Sequence, residues 1–403
     1  MARPKHMLRI ALILFCCLAV AGCWDRHEIE SMAFVTIAGV DLTKQQRIDL
    51  SVHIAKPFAI VAGQSNSRMQ ERTYWLVSET GVTAIEAAEE LQNQSARTIN
   101  WSHARIMIWG EDYARHGVFE SVDLLQRRTP IRMRNVLLVA KGAPASELLQ
   151  TEFELERQPT EGLLGILESA GKNTAVTCKT TALEFNRDLV SEGIEPVVGA
   201  VELVPRPNRT DPRGQLLDNS IPVSARIAGA AVFKQDRLVG WLDESQTRGL
   251  NYLKNKVKGC FLTIPNPRHE QKKISVERLN GETYIIPQFV NGKPIIRVLV
   301  KASADIAESN GSLNTLDEQL IKQIETGISA SVNRDIRAAL FAAQTRYNTD
   351  VVGFGLAFSR SYPREWRAMK QDWDQIFPLL EVKVEVKTDL RRTGQIVDSI
   401  HGN

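Results

Sequence analysis

The sequence lacks the residue patterns by which most enzymes are recognised. None of its seven histidines stands at metal-ligand spacing from another. Gly353-Phe354-Gly355 has neither the third glycine nor the lysine of a phosphate-binding loop, and no Gly-x-Ser-x-Gly elbow occurs. His103, beside Trp101 and Ser102, is the one histidine in a suggestive setting, but a backbone-bonded histidine at a strand edge is the simpler interpretation. These absences predict a non-enzymatic protein without cofactor or metal site.

The chain also lacks net charge once its first 22 residues are set aside. Those residues hold three basic and no acidic side chains, which leaves 47 basic residues against 47 acidic ones. A balanced chain does not offer the basic surface that nucleic acids or a polybasic membrane footprint require. We therefore expect no nucleic-acid partner.

The N-terminus carries an export signal that ends in a cysteine. Three basic residues within the first nine precede an apolar run over residues 10–21, which is shorter than the roughly 20 residues of a spanning helix. Val20-Ala21-Gly22-Cys23 is similar to the lipobox of bacterial lipoproteins. The resemblance implies cleavage after residue 22, a diacylglyceryl group on the Cys23 sulfur and an N-palmitoyl group on its new amino end. An ordinary secretory signal with a chance cysteine is the alternative.

Lipid on Cys23 would be the attachment of this protein to a membrane. One acyl chain binds a bilayer only reversibly, whereas two or more make a stable anchor. No further apolar run after residue 22 reaches transmembrane length. We therefore expect the mature chain to be tethered by its lipid rather than to span the bilayer.

Two of the five cysteines remain to be explained. Cys16 and Cys17 leave with the signal, Cys23 carries the lipid, and Cys178 and Cys260 are left. In an exported protein these two could pair. They lie on opposite sides of a predicted domain boundary, however, and free buried cysteine is common, which favours two separate thiols.

Periodicity predicts an α+β fold with at least two domains and largely antiparallel or mixed sheets. Strand-like patterns over 33–41 and 47–55, with a turn at 44–46, predict a hairpin. Thr83, with Glu86 three residues on, predicts a capped helix N-terminus.

A polar stretch with four prolines, residues 204–222, is the predicted linker. It divides the chain into a signal peptide (1–22), an N-terminal domain that could comprise two lobes (23–203) and a C-terminal domain (223–403).

The C-terminal domain is predicted to contain two hairpins, one long helix and a clear final strand. Asn291-Gly292 marks the turn of the second hairpin. Aliphatic residues at every fourth position predict a helix over 316–347, which must bury more than one side or bend, with Gly327 the expected bend. Alternation over 380–387 predicts a half-exposed antiparallel strand.

Three large aromatic residues lie on one predicted helix after Pro363. Trp366, Trp373 and Phe377 are spaced by seven and four residues, which places them on one helical face. Ordinary core packing is the expected role, and a ligand-stacking wall is the alternative.

Short blocks of the sequence resemble, in their order and spacing, the Ger(x)C family of spore germination lipoproteins. Each block is weak alone, but together they extend over essentially the whole mature chain. His27 stands where the family usually has a basic residue such as arginine, and 204–222 resembles a variable segment. The blocks are residues 22–30, 33–35, 39–41, 78–83, 101–105, 229–234, 238–243, 247–249, 350, 353–355, 363, 366, 373, 377 and 391–394.

The resemblance implies the C subunit of a GerA-type germinant receptor. Such a subunit is lipid-anchored on the outer face of the spore inner membrane, beside membrane A and B subunits. The complex senses small germinants and triggers germination, and C subunits are not known as enzymes. Whether this subunit binds the germinant itself stays open.

Two other functions are compatible with an exported lipoprotein. A solute-binding lipoprotein of a transporter would need two similar doubly wound lobes around a cleft. A membrane-tethered cell-wall hydrolase would need a metal cluster or a cleft with paired carboxylates. Antiparallel patterns with one long helix in the second half disfavour the first, and no motif indicates the second.

Overall fold

The computed structural model describes residues 28–57, 72–127, 132–153, 155–205, 223–309 and 317–392. These residues form an α+β structure with two sheets, as predicted. The predicted signal peptide, Cys23 and residues 206–222 of the predicted linker lie outside the described residues.

The larger sheet is mixed. Its path is β10-β9-β8-β6-β5-β1-β2-β3, with β4 beside β1 and β7 beside β6. β1, β5, β6 and β8 are mutually parallel, and the outer strands on both sides are antiparallel to their neighbours. The strands are β1 (Met32–Leu42), β2 (Ile48–Ala55), β3 (Tyr74–Gly81), β4 (Thr98–Asn100), β5 (Ile106–Trp109), β6 (Val136–Lys141), β7 (Thr180–Thr181), β8 (Val197–Pro205), β9 (Val223–Lys234) and β10 (Arg237–Leu242).

Helices cover both faces of this sheet. Successive side chains of a strand point to opposite faces, so Met107 and Trp109 pack in one core and Ile106 and Ile108 in the other. The first core also takes in α1 (Ala84–Gln94), α2 (Glu111–His116), α3 (Phe119–Arg127) and α6 (Ala182–Val190), and the second takes in α4 (Ala145–Leu148) and α5 (Pro159–Asn173). The Thr83 cap is confirmed, since its side chain accepts from Glu86 N.

The smaller sheet has the order β11-β12-β13-β14 and a third core. Its strands are β11 (Lys258–Asn266), β12 (His269–Val290), β13 (Lys293–Ser309) and β14 (Glu381–Arg392). The helices of this part are α7 (Glu244–Leu253), α8 (Glu318–Phe341), α9 (Phe354–Ser361), α10 (Pro363–Met369) and α11 (Trp373–Ile376). The predicted hairpin turn is confirmed, because Asn291 and Gly292 have φ of 50° and 75° between paired β12 and β13.

The prediction of an antiparallel final strand is wrong. β14 pairs in parallel with β13, because the helices between them carry the chain back to the same end of the sheet. Alternation of apolar and charged residues indicates that one face of a strand is buried and the other exposed. A parallel strand at the edge of a sheet has the same pattern as an antiparallel one. α8 covers its free edge: Arg337 Nη1 donates to Val382 O at 3.1 Å, and Leu390 N donates to Glu325 Oε1 at 3.0 Å.

The long helix differs from the prediction in where it becomes irregular. α8 is α-helical through Gly327, and a π-helical turn follows at Ala342–Arg346. Residues four positions apart move gradually around the surface of an α-helix, so the row of apolar side chains is not parallel to the axis. Neighbours such as Ser331 and Asp335 are also buried, and the buried face of α8 is therefore continuous. A Cβ on Gly327 would lie 3.2 Å from Ile264 Cδ1, which shows that this glycine permits close packing on β11.

The larger sheet continues across the predicted linker. β8 extends into the first two residues of the linker and β9 follows it, and the two strands pair antiparallel from Val197↔Val232 to Pro205↔Val223. Two strands that follow the linker therefore complete the sheet of the preceding part. The division at 204–222 remains a proposal about sequence organisation.

A buried histidine gives the larger sheet an expected sensitivity to acid. His53 Nε2 donates to Leu149 O at 2.7 Å, and its ring stacks on Tyr74. Nδ1 has no hydrogen-bond partner among the described residues. Burial lowers the pKa of His53 to about 4, because a charged ring there would lose its hydration.

We expect this histidine to make unfolding easier as the pH falls from about 6.5 to 4. The unfolded chain takes up the proton below about 6.5, whereas the folded chain takes it up only below about 4. The loss is complete below about 4 and amounts to about 3 kcal/mol. His53→Gln should flatten urea-derived stability over this range relative to the parent. An unchanged His53→Gln profile would contradict the assignment.

Candidate functional site

A cleft among the described residues lies where the larger sheet meets the C-terminal helices. Its volume is about 510 Å³, within the range of small-molecule sites. Leu189, residues 191–195 and Gln235 line one side, and Asp350 with residues from the 366–377 stretch lines the other. We call it the junction cleft.

Asp350 organises the C-terminal wall of the junction cleft. Its Oδ1 accepts from the backbone N–H groups of Gly353 (2.8 Å) and Phe354 (3.1 Å). Its Oδ2 accepts from Gly355 N–H (2.8 Å) and from Trp373 Nε1 (3.1 Å). Burial raises the pKa of Asp350, and these four hydrogen bonds oppose the rise. One carboxylate thus fixes the start of α9 and the position of an indole 23 residues later.

Two glycines allow the two walls to touch. A Cβ on Gly193 would lie 2.5 Å from the carbonyl carbon of Gly355, and Gly193 has a φ of 77°. Leu356 N donates to Gly193 O at 2.8 Å, and Glu195 N donates to Asp350 O at 2.9 Å. The backbone of 193–195 is therefore joined directly to the loop that precedes α9.

Acidic groups of the junction cleft are each held by a neighbour. Glu192 accepts from Lys370 Nζ (2.7 Å) and Trp366 Nε1 (3.4 Å), and the bond from Lys370 lowers the pKa of Glu192. Glu195 accepts from Gln235 N at 2.6 Å. Burial raises the pKa of Glu195, although that hydrogen bond opposes the change. The cleft can bind polar groups, but its carboxylates are occupied in structural contacts.

A buried lysine adds a further link behind the junction cleft. Lys254 Nζ donates to Val351 O at 2.9 Å and lies 3.8 Å from Asp188 Oδ2. Burial lowers the pKa of Lys254, and the Asp188 carboxylate opposes this. The side chain ties the end of α7 to α6 and to the loop before α9.

The three predicted aromatics are core residues that also border the cleft. Trp366, Trp373 and Phe377 are buried in the core of the smaller sheet, and the two indoles meet edge to face at 5.2 Å between ring centroids. Their N–H groups are bound to Glu192 and Asp350. The expected core packing is confirmed, and their edges remain available to the cleft. The single predicted helix is wrong, because Trp366 lies in α10, Trp373 starts α11 and Phe377 follows in a 3-10 turn.

The blocks 238–243 and 247–249 have structural roles. Tyr347 OH donates to Trp241 O (2.7 Å) and accepts from Trp241 N (3.1 Å), and Gly240 admits its ring. Arg248 Nε donates to the buried Asp335 of α8 at 2.6 Å. A Cβ on Gly249 would lie 2.0 Å from Asp335 O, so only glycine permits this crossing of α7 and α8. These blocks join the second part of the fold to the larger sheet.

The other residues singled out by sequence do not gather at the junction cleft. His103 is exposed, packs edge-on against Phe34, and its Nδ1 lies 3.0 Å from Ser102 Oγ. Cys178 and Cys260 are separate, buried free thiols. Cys23, the predicted lipid-attachment residue, lies outside the described residues.

Within the described ranges, no group of three or more His, Cys, Asp or Glu side chains is arranged to hold a metal ion. No helix of that part is long and apolar enough to cross a membrane. Sequence reasoning missed Glu192, Glu195 and Lys254, which stand in no motif. Their only local signal is a charged side chain beside an apolar run.

Models of known families match the chain on both sides of the predicted linker. A model described as the spore germination protein N-terminal domain matches residues 25–203. A model described as spore germination B3/GerAC like, C-terminal, matches residues 228–394.

Curated relatives match over nearly the whole chain. The putative spore germination protein YfkR of Bacillus subtilis (strain 168) is 27% identical over 399 residues, which cover 98% of this chain and 99% of that protein. Spore germination protein KC of the same organism is 23% identical and covers 97% of this chain and 96% of its own. The crystal structure of the GerBC protein has the same fold, with a TM-score of 0.54 at 16% identity over 88% of this chain and 96% of that one.

All three comparisons agree with the family resemblance that the sequence blocks indicated. They are the two domain models, the relatives that match nearly the whole chain and the shared fold. The chain belongs to the Ger(x)C family of spore germination proteins.

Proposed function

We propose that this protein is the lipid-anchored C subunit of a nutrient germinant receptor in the spore inner membrane. It assembles there with membrane A and B subunits, on the outer face, and is needed for germinant-triggered germination. The match of both family domains, in order, over residues 25–203 and 228–394 carries the proposal. The Val20–Cys23 block supplies the anchor in this proposal.

The role proposed for the folded part is structural rather than catalytic. The carboxylates of the junction cleft are engaged by N–H groups or a lysine, as is typical of residues that hold a fold together. An anchor confines the subunit to a thin layer beside its partners, which raises their effective concentration without any new contact. Contacts of the folded part then stabilise the membrane subunits.

The solute-binding alternative gains no support from the fold. Binding proteins of that class have two similar lobes of parallel strands around a cleft. The described residues form one ten-stranded mixed sheet and one four-stranded sheet. These two sheets differ in strand number and order, so they do not make a pair of equivalent lobes.

A complementation experiment tests the proposal. The gene is deleted, with its neighbours intact, from a strain whose other germinant receptors are also deleted. We expect the spores to lose their nutrient response but to release dipicolinate under high pressure. The wild-type gene should restore the response. A Cys23→Ser gene should not, and its product should take up no labelled palmitate and leave the membrane fraction.

Two results would contradict the proposal in different ways. Normal germination of the deletion strain would exclude the receptor role. A Cys23→Ser protein that remains labelled and membrane-bound would place the anchor elsewhere and leave the receptor role intact.

A further inference from the structure

The lipid of Cys23 limits which side of the fold can lie against the bilayer. Glu28 is the first described residue and follows Cys23 by five residues. An extended chain spans at most about 3.6 Å per residue, so Glu28 lies within about 18 Å of the anchored residue. This argument rests on the lipid anchor of the proposed function.

The chain enters the larger sheet at one corner. β1 begins at Met32, where it pairs in parallel with Thr98 at the start of β4. β2 ends and β3 begins beside it, since Ala55 pairs with Tyr74 and Lys56 N donates to Thr73 O. We call this corner the strand-start tip and define it as residues 28–32, 56–57, 72–73 and 95–98.

Local hydrogen bonds fix the strand-start tip. Gln92 Nε2 donates to Arg97 O at 3.0 Å, and Gln92 Oε1 accepts from Ile99 N at 2.8 Å. Ser95 Oγ donates to Arg97 O at 2.7 Å. Ser31 closes a turn on Glu28 O through its backbone N–H and its hydroxyl. Ile29 is 75% exposed on that turn, so the tip presents an apolar side chain on an ordered surface.

The opposite end of β1 is too far away to be the anchored side. Ten residue steps separate Met32 from Leu42, which is about 33 Å in a strand. The turn that contains Lys44 follows there. The segment from Cys23 to Glu28 spans at most about 18 Å, which is shorter than β1, so Cys23 cannot lie at the far end of that strand.

We propose that the strand-start tip faces the headgroup layer of the lipid bilayer, and that the Lys44 turn points away from it. The parallel strands β5, β6 and β8 run in the same direction as β1, and they start level with Ile37, five residues along β1.

Site-specific quenching tests this orientation on the full lipidated chain in vesicles. A fluorophore is attached by maleimide to Ala96→Cys at the tip or to Lys44→Cys at the far turn. Both positions are exposed, and the thiols of Cys178 and Cys260 are buried. With nitroxide on the lipid headgroups, we expect quenching at position 96 to exceed that at position 44 at least threefold. The labelled mature chain with Cys23→Ser, which has neither the lipid nor a second reactive thiol at that position, should show no such difference.

The outcomes separate the anchor from the orientation. A chain that floats with vesicles but is quenched equally at both positions, or more at position 44, would overturn the orientation alone. A chain that does not float would overturn the anchor, and the orientation with it.

Discussion

Replacing Asp350 by asparagine is expected to lower the free energy of unfolding by about 3 kcal/mol. Each carboxylate oxygen accepts two N–H groups, so an amide nitrogen in place of either oxygen would face two donors. Leaving a buried donor without an acceptor costs about 1–3 kcal/mol. The volume is unchanged, so the loss would come from the hydrogen bonds and not from a cavity. Urea unfolding of the purified variant and of the parent protein measures this difference in the free energy of unfolding.

Asp374→Asn is the matched control for this prediction. Asp374 borders the same cleft and pairs with Lys234 at 2.9 Å, but its side chain is 67% exposed. Exposed ion pairs contribute about 0–1 kcal/mol, so this variant should stay close to the parent. Equal stability of the Asp350 and Asp374 variants would refute the central role of the buried carboxylate.

Replacing Gly193 by alanine is expected to cost about 3 kcal/mol and to loosen the contact between the two walls of the junction cleft. Its φ of 77° strains any side chain, and the new Cβ would lie 2.5 Å from the backbone of Gly355. Left-handed backbone costs about 1–2 kcal/mol, and overpacking adds about 1–3 kcal/mol. Hydrogen exchange at Leu356 N–H, which donates to Gly193 O, should accelerate.

Gly165→Ala serves as the control for a general effect of glycine replacement. Gly165 lies inside α5, and a Cβ there meets nothing within 4 Å. Alanine is favoured over glycine in a helix by about 0.5–1 kcal/mol, so this variant should be more stable than the parent. Opposite signs for the two variants are the expected result. Two variants of equal stability would argue against the close contact.

Local chemistry made parts of the fold predictable. Thr83 with Glu86, and Asn291 with Gly292, act within a few residues of themselves, and both predictions are confirmed. The direction of β14 was not predictable in this way. Alternation of Val382 and Lys383 states which face is buried, but the direction of the partner strand depends on the path of the intervening helices.

The junction cleft was only partly accessible from sequence. The blocks that contain Asp350, Gly355 and Trp373 were recognised, yet their contact with one another follows from side chains that meet in three dimensions. Gly193 and Glu195 stand in no block, and nothing in their local sequence points to Gly355. Spacing along the chain carries no information about a contact between backbones that are more than 150 residues apart.

The pairing of β8 with β9 has a consequence for how the chain folds as it is made. β8 borders β6 on one side, and its other side stays unpaired until residues 223–242 have left the ribosome. A chain stopped at residue 203 would carry an open strand edge rich in valine, the kind of edge that attracts other chains. The two parts that separate family models match are therefore one unit in folding, and neither should be expected to work as a detached module.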